Sequence, residues 1–141
     1  MSTDNSNTQQ DQPVQNAQTH PQTAQEVFDI VYKHLLTQNE RCYAQRAVLG
    51  VMEQACVYEN DKGQRCAIGA LLIGDEYAEA RKTPYAVPEL IRQHKRVCGW
   101  MLPFEGLLVS LQDAHDMYSV PEWRERLHQI AERHNLTVPT L

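Results

Sequence analysis

The chain has 141 residues, 18 acidic against 13 basic side chains, and a formal net charge of −5 at pH 7. That length fits one domain, and the acidic balance disfavours a nucleic-acid partner, whose domain would ordinarily be basic. No apolar run is long enough to span a bilayer, and the polar start lacks the basic and apolar regions of a secretory signal, so a cytoplasmic protein away from membranes is expected.

In chain order, the first 24 residues, "MSTDNSNTQQDQPVQNAQTHPQTA", carry no aromatic, Leu or Ile. Such a segment cannot bury enough apolar surface to offset its ordering entropy, so residues 1–22 are expected to be a disordered polar tail. Thr23 and Glu26 have capping-box spacing and open a helix with Val27, Phe28, Ile30, Val31 and Leu35, running to about Gln38. "YAQRAVLGVMEQA" reads as a second helix, with Ala44, Ala47, Val48, Val51, Met52 and Ala55 on one face and Gly50 against it. The period then changes. Ala55–Ala67 is expected to form an antiparallel hairpin turning at Asn60–Gly63, where "NDKG" is turn chemistry.

Ala67–Ile73 is short, apolar and stopped by Gly74, as a buried turn of helix would be, and "DEYAEARKTPYA" reads as a connection. Pro88 sits in the first turn of a helix, "PELIRQHKRVC", that Gly99 ends. From Leu102 the pattern is strongly helical, with Phe104, Leu107, Leu108, Leu111, His115 and Tyr118 in one stripe. Ser119 and Glu122 form a second capping box before a helix with Trp123, Leu127, Ile130 and Ala131 inward, and Asn135 marks its stop. The expected fold is therefore α+β and mainly helical: a small domain over 23–136 of about four to six helices with one antiparallel β-hairpin, and a C-terminal tail at 137–141.

The order "CVYENDKGQRCAIGALLIGDEY", then "LLVSLQDAHD", then a Trp in a helix ending "IAERHNL" resembles a group of small uncharacterised proteins encoded by phages and bacteria, over roughly residues 26–136. The resemblance implies no activity. Its phage context implies an accessory protein that modulates a host or defence macromolecule. Members of the group often carry a second Cys four residues after the first and a Pro-Asp after Leu-Ile. Ala70 and Gly74-Asp75 stand there in this chain, so a paired-cysteine role does not carry over.

Two chemistries compete at Cys66. As a nucleophile near a helix N-terminus its thiol pKa would be lowered, with His115 as base and Asp116, Asp113 or Gln112 orienting the ring. That makes a cysteine hydrolase or transferase the alternative function, although Asp116, next to His115 in sequence, is awkwardly placed to reach the ring. As architecture, Cys66 is a small apolar residue at a strand-to-helix junction, where Gly69 and Ala70 allow close approach, and this is the preferred reading. No two cysteines have the spacing of a structural zinc site, so neither metal nor cofactor is expected. "RQHKR", with Arg92, Lys95 and Arg96, is the basic cluster, and Trp100 and Met101 form an apolar group after Gly99. A solvated helix face and a core entry are the ordinary readings; otherwise these five residues are candidates for contact with a protein partner.

Overall fold

The Thr23 hydroxyl accepts the Glu26 amide at 3.1 Å, and the Glu26 carboxylate accepts the Gln22 amide at 2.7 Å, so two amides left over at a helix start are satisfied. Behind this cap α1 runs Ala24–Gln38 and ends at left-handed Asn39, whose amide returns to the Leu35 carbonyl. It buries Val27, Phe28, Val31, Tyr32 and Leu35. This is a computed structural model, and it describes residues 19–74, 76 and 86–141. Of the expected tail over residues 1–22, residues 1–18 lie outside the described residues, as does most of the connection at 75–86.

The expected fold is corrected at its β element. Ala55–Ala67 forms no ladder: a single isolated bridge joins Glu59 and Arg65 around the Asn60–Gly63 turn. The physical reason lies just after Arg65: the Cys66 carbonyl accepts the Ala70 amide at 3.0 Å and the Ile68 amide donates to Gln112 Oε1 at 3.1 Å, so the groups that would extend the ladder are already taken. His34 Nε2 and Gln38 Nε2 each donate to the Arg65 carbonyl at 2.9 Å, and Gln38 Oε1 accepts the Arg65 amide, also at 2.9 Å. The Arg65 groups that face away from Glu59 are thus satisfied by side chains of α1.

The second expected helix is also corrected. Residues in "YAQRAVLGVMEQA" pair as β1 (Tyr43–Val48) and β2 (Val51–Cys56), antiparallel, with Val48 opposite Val51. Leu49 and Gly50 both have positive φ, the two-residue geometry that suits a tight hairpin turn, and Leu49 is fully exposed. The described hydrophobic core is drawn instead from helices and connecting loops, so the packed body of the domain is helical.

After the Asn60 turn, residues Gly69–Leu71 make one 3-10 turn against α1. The chain is next described from Ala86. Helix α2 (Val87–Gln93, with Pro88 in its first turn) breaks at His94, whose φ of −124° and ψ of 52° are not helical, and α3 (Lys95–Cys98) follows. The single helix expected from Pro88 to Cys98 is therefore two. A 3-10 segment over Gly99–Phe104 leads into α4 (Glu105–Met117), which buries Leu107, Leu108, Leu111, Ala114 and His115. Ser119 and Glu122 form the reciprocal capping box, and α5 (Trp123–Arg133) packs its Trp123, Leu127, Ile130 and Ala131 face on α1 and α4. Asn135 is left-handed, and the Leu136 amide closes back on the Ala131 carbonyl at 2.8 Å.

Gly69 permits a close approach of two backbone segments. A Cβ built there would stand 2.0 Å from the Tyr58 carbonyl oxygen, a backbone atom that cannot swing away. Gly69→Ala should therefore lower unfolding stability by about 1–3 kcal/mol in urea titrations, the range for an overpacked core. Gly106→Ala, in α4 where an added methyl meets nothing within 4 Å, should be neutral or stabilising by up to about 1 kcal/mol. Equal responses at the two positions would refute the assigned contact.

Candidate functional site

Helix α4 carries a row of polar side chains into the loops that precede it. Gln112 Oε1 accepts the Ile68 amide at 3.1 Å, and Gln112 Nε2 donates to Asp116 Oδ1 at 2.8 Å, one turn further along the same helix face. His115 is fully buried. Its Nε2 accepts the Cys42 amide at 3.1 Å. The ring proton therefore sits on Nδ1, which donates to Asp116 Oδ1 at 2.7 Å. Trp123 stacks on the His115 ring, centroids 5.4 Å apart, and its indole N–H donates to the Tyr118 carbonyl at 3.1 Å. The contact between neighbours His115 and Asp116, awkward on a helical wheel, is made, and it orients the ring toward a backbone amide.

Cys66 is 1% exposed, although it contributes to the wall of a cleft. Its Sγ accepts the Gly69 amide at 3.3 Å, and its own amide donates to the Tyr58 carbonyl, also at 3.3 Å. The segment that follows is a three-residue 3-10 turn, too short to offer the aligned dipoles that would favour a thiolate. Burial acts the other way and pushes the Cys66 thiol well above its ordinary range. Cys42, whose thiol donates to the Gln64 carbonyl at 3.0 Å, is pushed up to about 11, again chiefly by burial.

Cys66, His115 and Asp116 thus belong to one neighbourhood without forming a nucleophile and its base. The lone pair on His115 Nε2 that would take a thiol proton is occupied by the Cys42 amide, and the other nitrogen faces Asp116. What the arrangement does is hold two irregular segments, at Cys42 and at Ile68, onto α4.

Above this network lies a cleft of about 230 Å³. Its apolar walls come from Val57, Val87, Pro88 and Val109, and its polar rim from Tyr58, Gln112, Asp113 and Asp116. The Tyr58 phenol is held well above its ordinary pKa by burial, with the Cys66 and Cys98 thiols and the Asp116 carboxylate adding to the effect. Asp113 is exposed and forms no ion pair among the described residues, and the Asp116 side chain remains 34% exposed.

The remaining candidates separate. Met101 is fully buried in the core. Trp100 is partly buried and covered by the ring of His20. Arg92, Lys95 and Arg96 are exposed, with Arg92 paired to Glu89 on its own helix, as on a solvated face. Sequence reasoning missed Cys42 and Tyr58. The amide of Cys42 is used, and a backbone contact spanning 73 positions leaves no trace in residue type. The chain matches no family model, no curated protein sequence and no solved structure.

Two measurements check this geometry. Thiol reagents should label Cys66 in the native protein only as fast as the domain opens, and His115→Ala should speed that labelling by destabilising the fold, by about 3 kcal/mol or more once the cavity and the orphaned Cys42 amide are combined. Labelling that slows in this variant would instead restore His115 as the base. Stability should also fall in alkali. Above about pH 9 the unfolded chain releases thiol protons that the folded chain retains at Cys42 to about 11 and at Cys66 beyond that. The folded state then binds more protons, and the unfolding free energy declines as pH rises through this window. On the acid side His34, held below 6.5 mainly by burial, binds its proton more readily unfolded, so stability should decline as pH falls below that value. Melting temperatures flat from pH 8 to pH 11 would contradict the buried-thiol assignment.

Proposed function

We propose that the protein is an interaction module without catalytic chemistry, and that the cleft above Cys66 receives a cationic side chain on an apolar stem from a protein partner. One observation carries this: an apolar-walled recess opens beside the Asp113 and Asp116 carboxylates and the Tyr58 ring, on a floor made rigid by hydrogen bonds. Aliphatic walls suit the methylenes of Lys or Arg, and the carboxylates suit the charged head. A net acidic chain supports the same choice by attracting basic partners at long range. The resemblance of the motif order to phage and bacterial proteins supports the setting we propose, modulation of a host or defence macromolecule in the cytoplasm.

The probe for this reading is n-butylguanidinium, followed in amide-resolved NMR spectra. It should shift Val57, Val87 and Val109 saturably, with a dissociation constant of about 1 mM, as suits so few atoms. Neutral 1-pentanol should bind more weakly. Asp113→Asn should reduce affinity for the cation several-fold, and Val109→Trp should fill the cleft and abolish binding. Equal binding of the alcohol and the guanidinium, or shifts unaffected by Val109→Trp, would overturn the assignment.

A further inference from the structure

His20 lies outside every helix and three residues before the Thr23 cap. Its ring stacks on Trp100, with centroids 4.2 Å apart and planes within 13°. Its Nε2 pairs with Glu76 Oε2. Glu76 is itself 6% exposed, and its other oxygen accepts the Ile73 amide at 2.8 Å. A planar nitrogen heterocycle therefore fills a slot with an indole face on one side and a fixed, buried carboxylate within pairing distance. Beside it a shallow recess of about 300 Å³ is lined by Thr19, His20, Pro21, Glu26, Asp29 and Ile30, which adds two more carboxylates. The Trp100 indole N–H is buried and has no acceptor among the described residues.

The cost of burying Glu76 favours an occupant that brings a donor to the slot. A carboxylate taken out of water without a donor or cation is strongly destabilised. The Ile73 amide satisfies one oxygen, and His20 satisfies the other. Yet the occupant comes from a short segment with little else to hold it. Thr19 and Gln22 are exposed, and the described anchors of residues 19–22 are His20 and the Gln22 amide bond to Glu26. The slot's chemistry, an aromatic face beside a carboxylate, is more fully met by a guanidinium than by an imidazole. The guanidinium is planar, stacks on indole, offers a fork of donors and is always charged.

We propose that His20 is a displaceable intramolecular ligand, and that the Trp100–Glu76 slot beneath it is a second recognition site, for an arginine side chain of a partner polypeptide. The partner's arginine replaces the His20 ring on Trp100 and pairs with Glu76, while Glu26 and Asp29 lie beside the path by which a basic segment reaches it. A ligand that also carries a main-chain carbonyl can give the Trp100 indole the acceptor it lacks. Because His20 is tethered, it competes at an effective concentration in the millimolar range. The site is therefore partly closed in the intact chain and opens when His20 is removed.

The test uses the full chain and N-acetyl-arginine methylamide, with the Trp100 indole cross-peak as readout and the Trp123 indole as internal control. In His20→Ala the peptide should shift the Trp100 peak saturably and at least about tenfold more tightly than in the unaltered chain. N-acetyl-lysine methylamide should bind more weakly than the arginine compound, since an ammonium does not stack. Glu76→Gln in the His20→Ala background should abolish the shift. Equal affinities with and without His20, or an unmoved Trp100 peak in the folded variant, would overturn the proposal. So would a His20→Ala chain that fails to fold, because a ligand whose departure unfolds the domain is not displaceable.

Discussion

Buried amides in irregular segments must find acceptors, and in this protein helix α4 supplies them. The stretches around Cys42 and Ile68 belong to no helix that could pair their N–H groups. An unsatisfied buried donor costs about 1–3 kcal/mol, a large fraction of the margin by which a domain is stable. Gln112 takes the Ile68 amide, His115 takes the Cys42 amide, and Asp116 binds both side chains so that neither can rotate away. The string "LQDAHD" is therefore explained by hydrogen-bond accounting before any chemistry is invoked.

Helix α1 performs the same service one layer away. His34 and Gln38 take up the carbonyl and amide of Arg65, which face away from the single bridge to Glu59. With Arg65 held to α1, Cys66 and Gly69 are drawn against the Tyr58 carbonyl. The absence of a Cβ at Gly69 is the condition for that approach. Cys66 fits this junction because a thiol is small, tolerates burial and can accept the Gly69 amide weakly. The features that suggested a nucleophile are those of a residue packed where two backbones nearly touch.

The two candidate surfaces rest on different supports. The cleft rests on the α4 network, so a group entering it meets fixed walls and little reorganisation, which favours binding. The Trp100 slot differs, since its occupant, the His20 ring, comes from the segment before α1. Both surfaces combine an apolar or aromatic wall with carboxylates, which is one chemical preference expressed at two places on an acidic domain.

Features within one helical turn were legible in the sequence. The Thr23 and Ser119 caps, the inward stripe of α4 and the Asn135 stop depend on spacings of three and four residues, which the helix itself imposes. Misreadings arose where a local pattern admitted two periods. "YAQRAVLGVMEQA" places apolar residues at helical spacing, yet Leu49 and Gly50 can adopt the left-handed turn that pairs Val48 with Val51, and the weak point at Gly50 was the sign of it. "PELIRQHKRVC" carries no breaker, and its interruption at His94 is a backbone geometry that residue type does not announce. The candidate site divides the same way. Composition and order singled out Cys66, His115 and Asp116, because such residue types are conspicuous in an apolar stripe. Their roles were decided by the Cys42 amide, 73 positions from His115, and by the Tyr58 carbonyl over Gly69. Backbone groups are the same in every residue, so only the tertiary structure could show which of them each side chain meets.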